Sequence, residues 1–405
     1  MDSQFIIVGS GVAGLNIAKY MSENNFDFKI IEKNSFSGGR VYSENKDGFI
    51  LDEGFQIFLD NYPESKKLFD YEKLKLKNFH SGALVHIDNQ FYHYLNPLFH
   101  PLSKQNKLWN ELLGLILISK NVLLRNIDTD LDTGTWIKNF PMVSKEFKMF
   151  VQSFLKGVLL DKKLCTKTGI ALDYLKLFVY GRAAVPYNGM IEFTNQLKKT
   201  IPIDKFVFNE EVVSVKNNTV ITKSGNHYNS QNIIFATDLN SVNEIFNLKI
   251  NITKNPVTNI YFRTSENLSN FPGIILNANS NEIINHLSIL NLINPNYSFP
   301  GENLISVSLF NESSYSYNDL IQIVLLELRE WYGNVIDELE LIRIKDHFND
   351  VPFNNLYKYQ SEIREIFNSN VFFCGGYLSN SSIEGAIKTS NYLINNCLFE
   401  QKRCP

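Results

Sequence analysis

Residues 5–14, Phe5-Ile6-Ile7-Val8-Gly9-Ser10-Gly11-Val12-Ala13-Gly14, join an apolar strand to a glycine-rich turn and the start of a helix. Gly9 permits the tight turn, Gly11 lets the backbone approach a pyrophosphate, and Gly14 lets the helix pack on the strand. The unpaired N–H groups at the helix N-terminus then face the phosphates. A second apolar strand at 28–31 follows, so the chain is predicted to open as a βαβ unit.

Three further segments are predicted to contact other parts of a bound cofactor besides its phosphates. Glu32 closes the second strand, where a carboxylate can accept both ribose hydroxyls of an adenosine. Ser37-Gly38-Gly39-Arg40 offers a second close backbone approach and a cation for the same pyrophosphate. Asp52-Glu53-Gly54-Phe55-Gln56 places a glycine where the chain could skirt a flat ring. NAD domains have no need of the second glycine pair, so the pattern favours FAD; a solvated acid and an ordinary surface turn are the alternatives.

The composition is that of a large globular protein. The chain has 405 residues, is 44% hydrophobic and carries a net charge of -3, which suits two or three domains or one interleaved pair. Its basic residues are scattered, so no nucleic-acid partner is expected. The seven histidines show no metal-binding spacing, and no metal site is predicted. Aromatic residues make up 13% of the chain, and a cavity for an apolar substrate would draw on them.

The expected location is cytoplasmic. The chain enters a strand directly after Met1, without a signal peptide, and its four cysteines show no paired framework. The most apolar stretch, 108–120, is shorter than the roughly 20 residues that span a bilayer, so a buried helix is predicted there. A helix that docks on a membrane or admits substrate is the alternative, which leaves peripheral membrane association open.

The pattern farther along the chain alternates between helix and strand. Hairpins are predicted within 83–94 and 212–222, and mostly helical periodicity runs from about 103 to 200. A strand around 304–309 and a helix around 319–331 follow. This alternation predicts domains that are discontinuous in sequence.

The C-terminal stretch 372–386, FFCGGYLSNSSIEGA, has a layout of its own. It reads as a buried strand, a double-glycine turn, a polar stretch and a helix whose first turn presents backbone N–H groups. Such a helix N-terminus suits an anion or the polar edge of a cofactor.

Together these motifs resemble the flavin-containing amine oxidase superfamily, which spans amine oxidases, phytoene desaturase-like enzymes, protoporphyrinogen oxidases and renalase-like proteins. The resemblance extends to Pro186-x-x-Gly189-Met190, to Val212-x-x-Val215 and to Ala236-Thr237. It implies a GR2-like, Rossmann-type FAD-binding domain interleaved with an α+β substrate domain. It also implies that the helix after Ser382 faces flavin N1 and O2, where a positive helix end contributes about 0.3–2 kcal/mol upon reduction.

The motifs and the resemblance assign a set of residues to non-covalently bound FAD. These are Gly9, Gly11, Val12, Ala13, Gly14, Glu32, Lys33, Gly38, Gly39, Arg40, Gly54, Phe55, Gln56, Val212, Ala236, Gly375, Gly376, Ser382 and Ile383. Two departures from the family stand out. Gly376 occupies the place of an aspartate that would bind a ribityl hydroxyl, and the segment 255–262 has no lysine to sit beside flavin N5.

The domain assignment and the function follow as expectations. The FAD-binding domain is predicted from 1–80, 186–245 and 346–405, and the substrate domain from 81–185 and 246–345. The predicted activity is oxidation or desaturation of an apolar or aromatic small molecule by hydride transfer to flavin N5. Amine oxidation, a non-redox isomerase and a ligand-binding flavoprotein are the alternatives, and oxygen, a quinone or another acceptor could take the electrons.

No catalytic side chain can be assigned from the sequence. Four residues lie beside motifs that should approach the flavin and are candidates: Tyr180, Arg182, Tyr187 and Tyr377.

Overall fold

The computed structural model describes residues 2–54, 57–95, 128–139, 144–248, 255–279, 282–310, 315–349 and 370–398. In chain order the strands are β1 Asp2–Val8, β2 Phe28–Ile31, β3 Ser43–Lys46, β4 Phe49–Asp52, β5 Phe58–Leu59, β6 Lys77–Asn78, β7 Gly82–Ile87, β8 Gln90–Leu95, β9 Ala183–Val185, β10 Phe206–Val207, β11 Val212–Lys216, β12 Thr219–Thr222, β13 His227–Phe235, β14 Asn255–Thr264, β15 Ile274–Asn277, β16 Ile284–Ile289, β17 Asn303–Phe310, β18 Glu340–Asn349 and β19 Val371–Phe373. Within the described ranges they form two seven-stranded sheets and two small ones.

The helices lie between these strands in several parts of the chain. They are α1 Val12–Glu23, α2 Pro63–Leu68, α3 Tyr71–Leu74, α4 Thr133–Lys138, α5 Lys145–Leu159, α6 Thr168–Tyr180, α7 Ile191–Lys198, α8 Leu239–Phe246, α9 Leu290–Ile293, α10 Tyr317–Tyr332 and α11 Ile383–Leu393. Turns of 3₁₀ helix lie at Gly39–Val41, Ile203–Lys205, Pro295–Tyr297, Gly333–Glu338 and Gly376–Leu378, and a π-helical turn at Ile394–Leu398. In the part of the chain described here, no helix combines the length and apolar character needed to traverse a lipid bilayer. The apolar run 108–120 lies outside it.

The first large sheet has a parallel core. Its strands lie in the order β10-β2-β1-β13, with β19 also paired to β13, and all these pairs are parallel. The hairpin β11-β12 adds antiparallel strands on the other part of β13. Phe5, Ile6 and Ile7 are all buried, as expected for a parallel strand that is covered on both faces. The predicted Rossmann-type α/β architecture is confirmed.

Helices from the two ends of the sequence cover this sheet together. The side-chain amide of Asn16 in α1 donates to Ser390 Oγ and to Asn391 Oδ1 of α11, each at 2.8 Å. Leu15 and Ile17 of α1 are fully buried in the same core. The N-terminal and C-terminal motifs are therefore parts of one unit.

The second large sheet is mostly antiparallel. Its order is β18-β14-β17-β16-β15-β7-β8, and only β15 and β7 run parallel among these pairs. Helix α10 covers one face through Leu320, Val324 and Leu328. Helix α5 lies on the other face, where Ser153 Oγ donates to Asn277 O. The sheet therefore separates two layers of helix.

Two predicted hairpins are present with the turn residues that their geometry requires. Asp88 and Asn89 connect β7 to β8 with φ of 48° and 61°. Asn217 and Asn218 connect β11 to β12 with φ of 46° and 64°. Asn and Asp tolerate this left-handed conformation better than most residues, and it matches the twist of the paired strands.

The division of the chain between two domains stays a proposal. Sheet membership supports it in outline, because β7, β8 and β14 to β18 form the second sheet. The last of these strands ends at Asn349, beyond the predicted boundary at 345/346. Strand β9 pairs with β5 and β6 in a three-stranded sheet beside the first unit.

A buried acid anchors α10 to the second sheet. Glu327 accepts the N–H of Ile283 at 2.7 Å and that of Ile284 at 3.0 Å. Burial raises the pKa of Glu327 to about 7; the two N–H groups oppose this rise, and the charges of Glu282 and Glu330 add to it. An acid with a raised pKa takes up a proton on folding, at any pH between its unfolded and folded pKa values.

Glu327 should therefore make the protein less stable as the pH rises. Its contribution to the free energy of unfolding declines between pH 4.5, the ordinary pKa of a glutamate, and about pH 7, and is constant above that. Wild type should lose about 2 kcal/mol of unfolding free energy between pH 5 and pH 8, and Glu327→Gln should lack this loss. Glu327→Gln should also be less stable than wild type at pH 5, because its amide has one acceptor oxygen for two N–H groups. Glu338→Gln, at an exposed position after the same helix, is the control. Denaturant unfolding at both pH values measures the difference, and an equal change in the two variants would contradict the prediction.

Candidate functional site

The first glycine turn leaves open space where a ligand is predicted. Gly9 has φ of +99°, and a Cβ atom there would lie 2.8 Å from Ala236 O. A Cβ atom on Gly14 would lie 2.1 Å from Gly9 O, so the third residue of helix α1 must be glycine. A Cβ atom on Gly11 would meet nothing within 4 Å. Packing inside the protein therefore explains Gly9 and Gly14, but it does not explain Gly11.

The second glycine pair lies against the first turn. Gly38 N donates to Ser10 O at 3.0 Å, and a Cβ atom on Gly39 would lie 3.4 Å from Gly11 Cα. Val12 and Ala13 follow in the first turn of α1 and are buried. The Ser37 hydroxyl is buried and has no hydrogen-bond partner within the described residues. The backbones of the two glycine turns thus lie next to each other, as contact with one pyrophosphate would require.

Arg40 connects this place to the C-terminal motif. Its Nη2 atom lies 3.5 Å from the position that a Cβ atom on Gly376 would take. Arg40 is otherwise exposed, as is Lys33 at the end of β2. The guanidinium therefore lies between the two ends of the sequence, and a guanidinium is a cation that binds anionic ligands well.

Glu32 is buried, and its carboxylate already accepts three hydrogen bonds from the protein. Its carboxylate accepts Ser10 N at 2.9 Å, Ser10 Oγ at 2.7 Å and Asn34 N at 2.9 Å. A carboxylate has about four acceptor positions, so an adenosine ribose would share Glu32 with Ser10 or displace its rotatable hydroxyl. Glu210 N donates to Glu32 O at 2.9 Å, which brings Val212 near the same strand end. Ala236 N donates to Val8 O at 2.8 Å, so Ala236 lies beside the glycine turn.

Asp52 ties three distant segments together. Its carboxylate accepts the Ser43 hydroxyl, Met190 N at 3.0 Å and the Tyr297 hydroxyl at 2.8 Å. Burial raises the pKa of Asp52, and these hydrogen bonds with the charge of Arg343 oppose the rise. The predicted turn at 186–190 is thereby joined to strand β4 and to the 3₁₀ turn between β16 and β17 of the second sheet.

The second sheet also holds the backbone at Gly54, which has φ of +77°. Tyr261 in β14 donates its hydroxyl to Asp52 O at 3.2 Å and to Gly54 O at 3.3 Å. The Arg343 guanidinium lies 5.2 Å from the Tyr261 ring centroid and also donates to Asp52 O. The predicted flavin-side residues Phe55 and Gln56 lie outside the described residues.

The C-terminal motif places a glycine turn before a capped helix. Gly375 has φ of +147° and its N–H donates to Thr389 Oγ1 at 3.0 Å. Ser382 N donates to Asn380 O at 2.7 Å, and Ser382 Oγ accepts Gly385 N at 3.1 Å. Since a helix leaves its first N–H groups without intrahelical partners, those of Ile383 and Glu384 remain for another acceptor.

The four candidate catalytic residues are not brought together. Tyr180 and Arg182 are exposed at the end of α6. The Tyr187 ring faces the amines of Lys75 and Lys77, 6.0 Å and 5.8 Å from its centroid. Tyr377 is buried in the cluster of Phe235 and Phe373, and burial raises its pKa well above the usual range. A catalytic role for any of them stays a prediction.

Two tyrosines that no motif indicates lie at the C-terminal helix instead. Burial raises the pKa of Tyr62, before α2, and of Tyr174, in α6, and the nearby Ser382 side chain opposes the rise in both. Neither spacing nor composition singles them out, because each comes from a different segment. Only the tertiary fold shows this cluster.

The family model of flavin containing amine oxidoreductases matches residues 12–391. The chain belongs to this family. Its recognition from the glycine turns and the C-terminal signature is confirmed, and so is the prediction of a flavin-dependent oxidoreductase.

Solved structures with this family's fold cover almost the whole chain. A redesigned putrescine oxidase aligns at 14% identity over 99% of both chains, with a TM-score of 0.75. Cyclohexylamine oxidase from Brevibacterium oxydans aligns at 14% identity over 100% of both chains, with a TM-score of 0.73. An oxidoreductase from Methanosarcina mazei aligns at 16% identity over 98% of this chain and 100% of its own, with a TM-score of 0.74. At these identities the likeness concerns the fold.

A curated relative matches over a shorter stretch. The 4,4'-diaponeurosporene oxygenase of Staphylococcus aureus (strain USA300) is 30% identical over 79 residues. The match covers 20% of this chain and spans 16% of that oxygenase.

Gly376 provides a direct test of the departure from the family motif. A Cβ atom there would lie 3.3 Å from Ser381 Cα, which is tight but needs only a small shift. We expect Gly376→Asp to tighten FAD binding about tenfold, since a hydrogen bond to a charged group is worth roughly 1.5–3 kcal/mol. Titration of apoprotein with FAD measures this. Unchanged or weaker binding would mean that the turn is rebuilt, with the new carboxylate paired to Arg40.

Proposed function

We propose that the protein binds FAD non-covalently and oxidises or desaturates an apolar or aromatic small molecule. The observation that carries the proposal is the convergence of Gly11, Gly39, Arg40 and Gly376 at one place. These residues come from both ends of the sequence, and an elongated dinucleotide cofactor would contact all of them. When bound, FAD supplies a two-electron acceptor for hydride leaving a substrate C–H bond.

The residues present fit such a cofactor. The open space at Gly11 and the exposed Arg40 would receive the pyrophosphate, and Glu32 would receive the ribose of the adenosine. The N–H groups of Ile383 and Glu384 would face the pyrimidine edge of the flavin. The predicted Val212 contact belongs to the adenine end.

An apolar substrate is supported by the aromatic residues between α5, α6 and the second sheet. Tyr94 stacks on Phe150 with centroids 4.4 Å apart, and Phe154 contacts Phe178 at 4.9 Å. Phe150, Phe154 and Phe178 are only partly buried within the described residues. The diaponeurosporene oxygenase that matches part of the chain also bears the name of an apolar polyene.

Amine oxidation is the second candidate function, because two of the solved structures with this fold are amine oxidases by name. Strand β14, however, reads NPVTNIYFRT and contains no lysine. Tyr261 in this strand donates its hydroxyl to Gly54 O, and Arg343 is the residue opposite Tyr261 on the neighbouring strand β18. The absence of a lysine from this strand favours desaturation of a C–C bond over oxidation of an amine.

Anaerobic addition of candidate substrates separates the functions. Bleaching of the visible band of oxidised flavin by a polyene or a porphyrinogen, and not by primary amines, is the expected result. Bleaching by amines alone would replace the proposal with amine oxidation. Turnover without bleaching at any stage would indicate an isomerase. Readmitting oxygen or adding a quinone to the bleached enzyme then identifies the electron acceptor, and vesicle flotation tests peripheral membrane contact.

A further inference from the structure

The Tyr261 hydroxyl bridges the loop that follows β4. It lies 3.2 Å from Asp52 O and 3.3 Å from Gly54 O, and it donates its one hydrogen to these two carbonyls. Burial raises the pKa of Tyr261 above the usual range for tyrosine, so the hydroxyl keeps this hydrogen at neutral pH. Tyr261 is 1% exposed and belongs to the main core. A strand of the second sheet therefore holds both ends of this short loop.

Arg343, opposite Tyr261 on β18, contacts the same loop. Its guanidinium donates to Asp52 O and lies 5.2 Å from the centroid of the Tyr261 ring. Its Nη1 atom donates to Glu44 Oε1 at 2.9 Å and lies 4.0 Å from Glu53 Oε1. The Arg343 side chain is only 14% exposed, so salt and water screen these contacts weakly. One cation thus connects the second sheet to strand β3 and to the loop.

Further contacts keep β18 against the hairpin formed by β3 and β4. Lys46 Nζ in β3 donates to Ile342 O at 3.3 Å, and Lys345 forms an ion pair with Glu53. Among the described strands β18 lies at the edge of the second sheet, where backbone groups would otherwise be unpaired. The edge of one sheet is thus fastened to the unit that carries the glycine turns, and its cations offset the acids beside the loop.

We infer that Tyr261 and Arg343 are positioning residues, through which the second sheet sets where the flavin half of the cofactor lies. The inference rests on the proposed FAD site, in which Gly54 skirts the flavin ring. Gly54 has φ of +77°, and glycine restricts its own backbone least of all residues, so contacts from outside the loop must fix it. The adenosine and the pyrophosphate would contact Glu32, Gly11 and the first unit instead. The two halves of FAD should therefore respond differently to changes in the second sheet.

The ratio of FAD affinity to ADP affinity tests this role. ADP contains the adenosine and the pyrophosphate of FAD but no flavin. Tyr261→Phe should raise the dissociation constant for FAD about fivefold, as expected for loss of one hydrogen bond, and leave that for ADP unchanged. Titration of the apoprotein with each ligand measures both constants. Unchanged FAD affinity would overturn the inference, and so would equal weakening of both ligands, which is the result of a merely structural role.

The charge of Arg343 provides a second measurement in the FAD-bound protein. Arg343→Met leaves Glu44 and Glu53 less compensated beside the loop, and reduction adds negative charge to the flavin. The equilibrium constant for two-electron reduction should fall about tenfold, which lowers the midpoint potential by about 30 mV. Arg343→Lys keeps the cation but not the planar fork, so it should keep the potential and bind FAD about fivefold more weakly. A wild-type potential in Arg343→Met would overturn the role of Arg343.

Tyr332→Phe and Arg263→Met are the matched controls. Tyr332 in α10 is another phenol whose pKa burial raises, and its hydroxyl has no hydrogen-bond partner within the described ranges. Arg263 lies two residues after Tyr261 on β14 and pairs with Glu340 at 2.9 Å. Both controls should keep the wild-type affinity ratio and potential, and shifts as large as those of the Tyr261 and Arg343 variants would overturn the inference. Failure of the proposed function is distinguishable, because the purified wild-type protein would then bind no FAD.

Discussion

Replacing Gly11 with valine should abolish FAD binding while leaving the protein folded. The added side chain meets no protein atom within 4 Å of its Cβ, so the fold has room for it. That room is where the pyrophosphate is proposed to lie. Loss of two charge-assisted hydrogen bonds, at roughly 1.5–3 kcal/mol each, weakens FAD binding at least about a hundredfold.

The measurement is flavin stoichiometry after purification, followed by titration of the apoprotein with FAD. Circular dichroism and the melting temperature of the apoprotein check the fold. Gly11→Ala is the graded control and should lose less affinity than Gly11→Val. A Gly11→Val protein that is yellow at full stoichiometry would refute the cofactor site.

Removing the Asp52 carboxylate should destabilise the protein more than loss of any exposed acid. Asp52→Ala leaves buried donors of Ser43, Met190 and Tyr297 without their acceptor. Breaking a buried polar network of this kind costs about 3–5 kcal/mol. Because Tyr261 and Arg343 fix the backbone next to it, FAD affinity should fall as well.

Asp130→Ala is the control for this prediction. Asp130 pairs with Lys167 at 2.6 Å, but its side chain is 77% exposed, and such a pair contributes less than about 1 kcal/mol. Urea unfolding of apo and FAD-bound forms compares the two variants. If Asp52→Ala loses no more stability than Asp130→Ala, the network is not what joins the segments.

Local patterns were sufficient to predict the first unit of the fold. The predicted strand at 28–31 is β2, and the helix predicted after the first glycine turn is α1. The glycine turns could be assigned because their spacing between a strand and a helix follows a local sequence motif. Strands around 304–309 and the helix around 319–331 were also predicted within two residues of β17 and α10.

The polar contacts of the site could not be predicted in this way. Asp52 meets Tyr297 across 245 positions, and no period or motif relates the two. Tyr62 and Tyr174 come from separate segments of the chain, yet Ser382 affects the pKa of both, and their residue type suits a core equally well. Such contacts depend on how the two sheets meet, which the hydrophobic pattern of a single segment does not encode.

The contact between α1 and α11 can form only after most of the chain has been synthesised. Asn16 and Ser390 are 374 residues apart, and β19 pairs with β13 only after Val371 has emerged. Synthesis proceeds at about 5–20 residues per second, so α11 follows the first glycine turn after roughly 20 to 75 s. During that interval the edge of β13 and the apolar face of α1 are uncovered. Uncovered strand edges and apolar helix faces promote aggregation, so the nascent chain is most prone to aggregate before α11 has been synthesised.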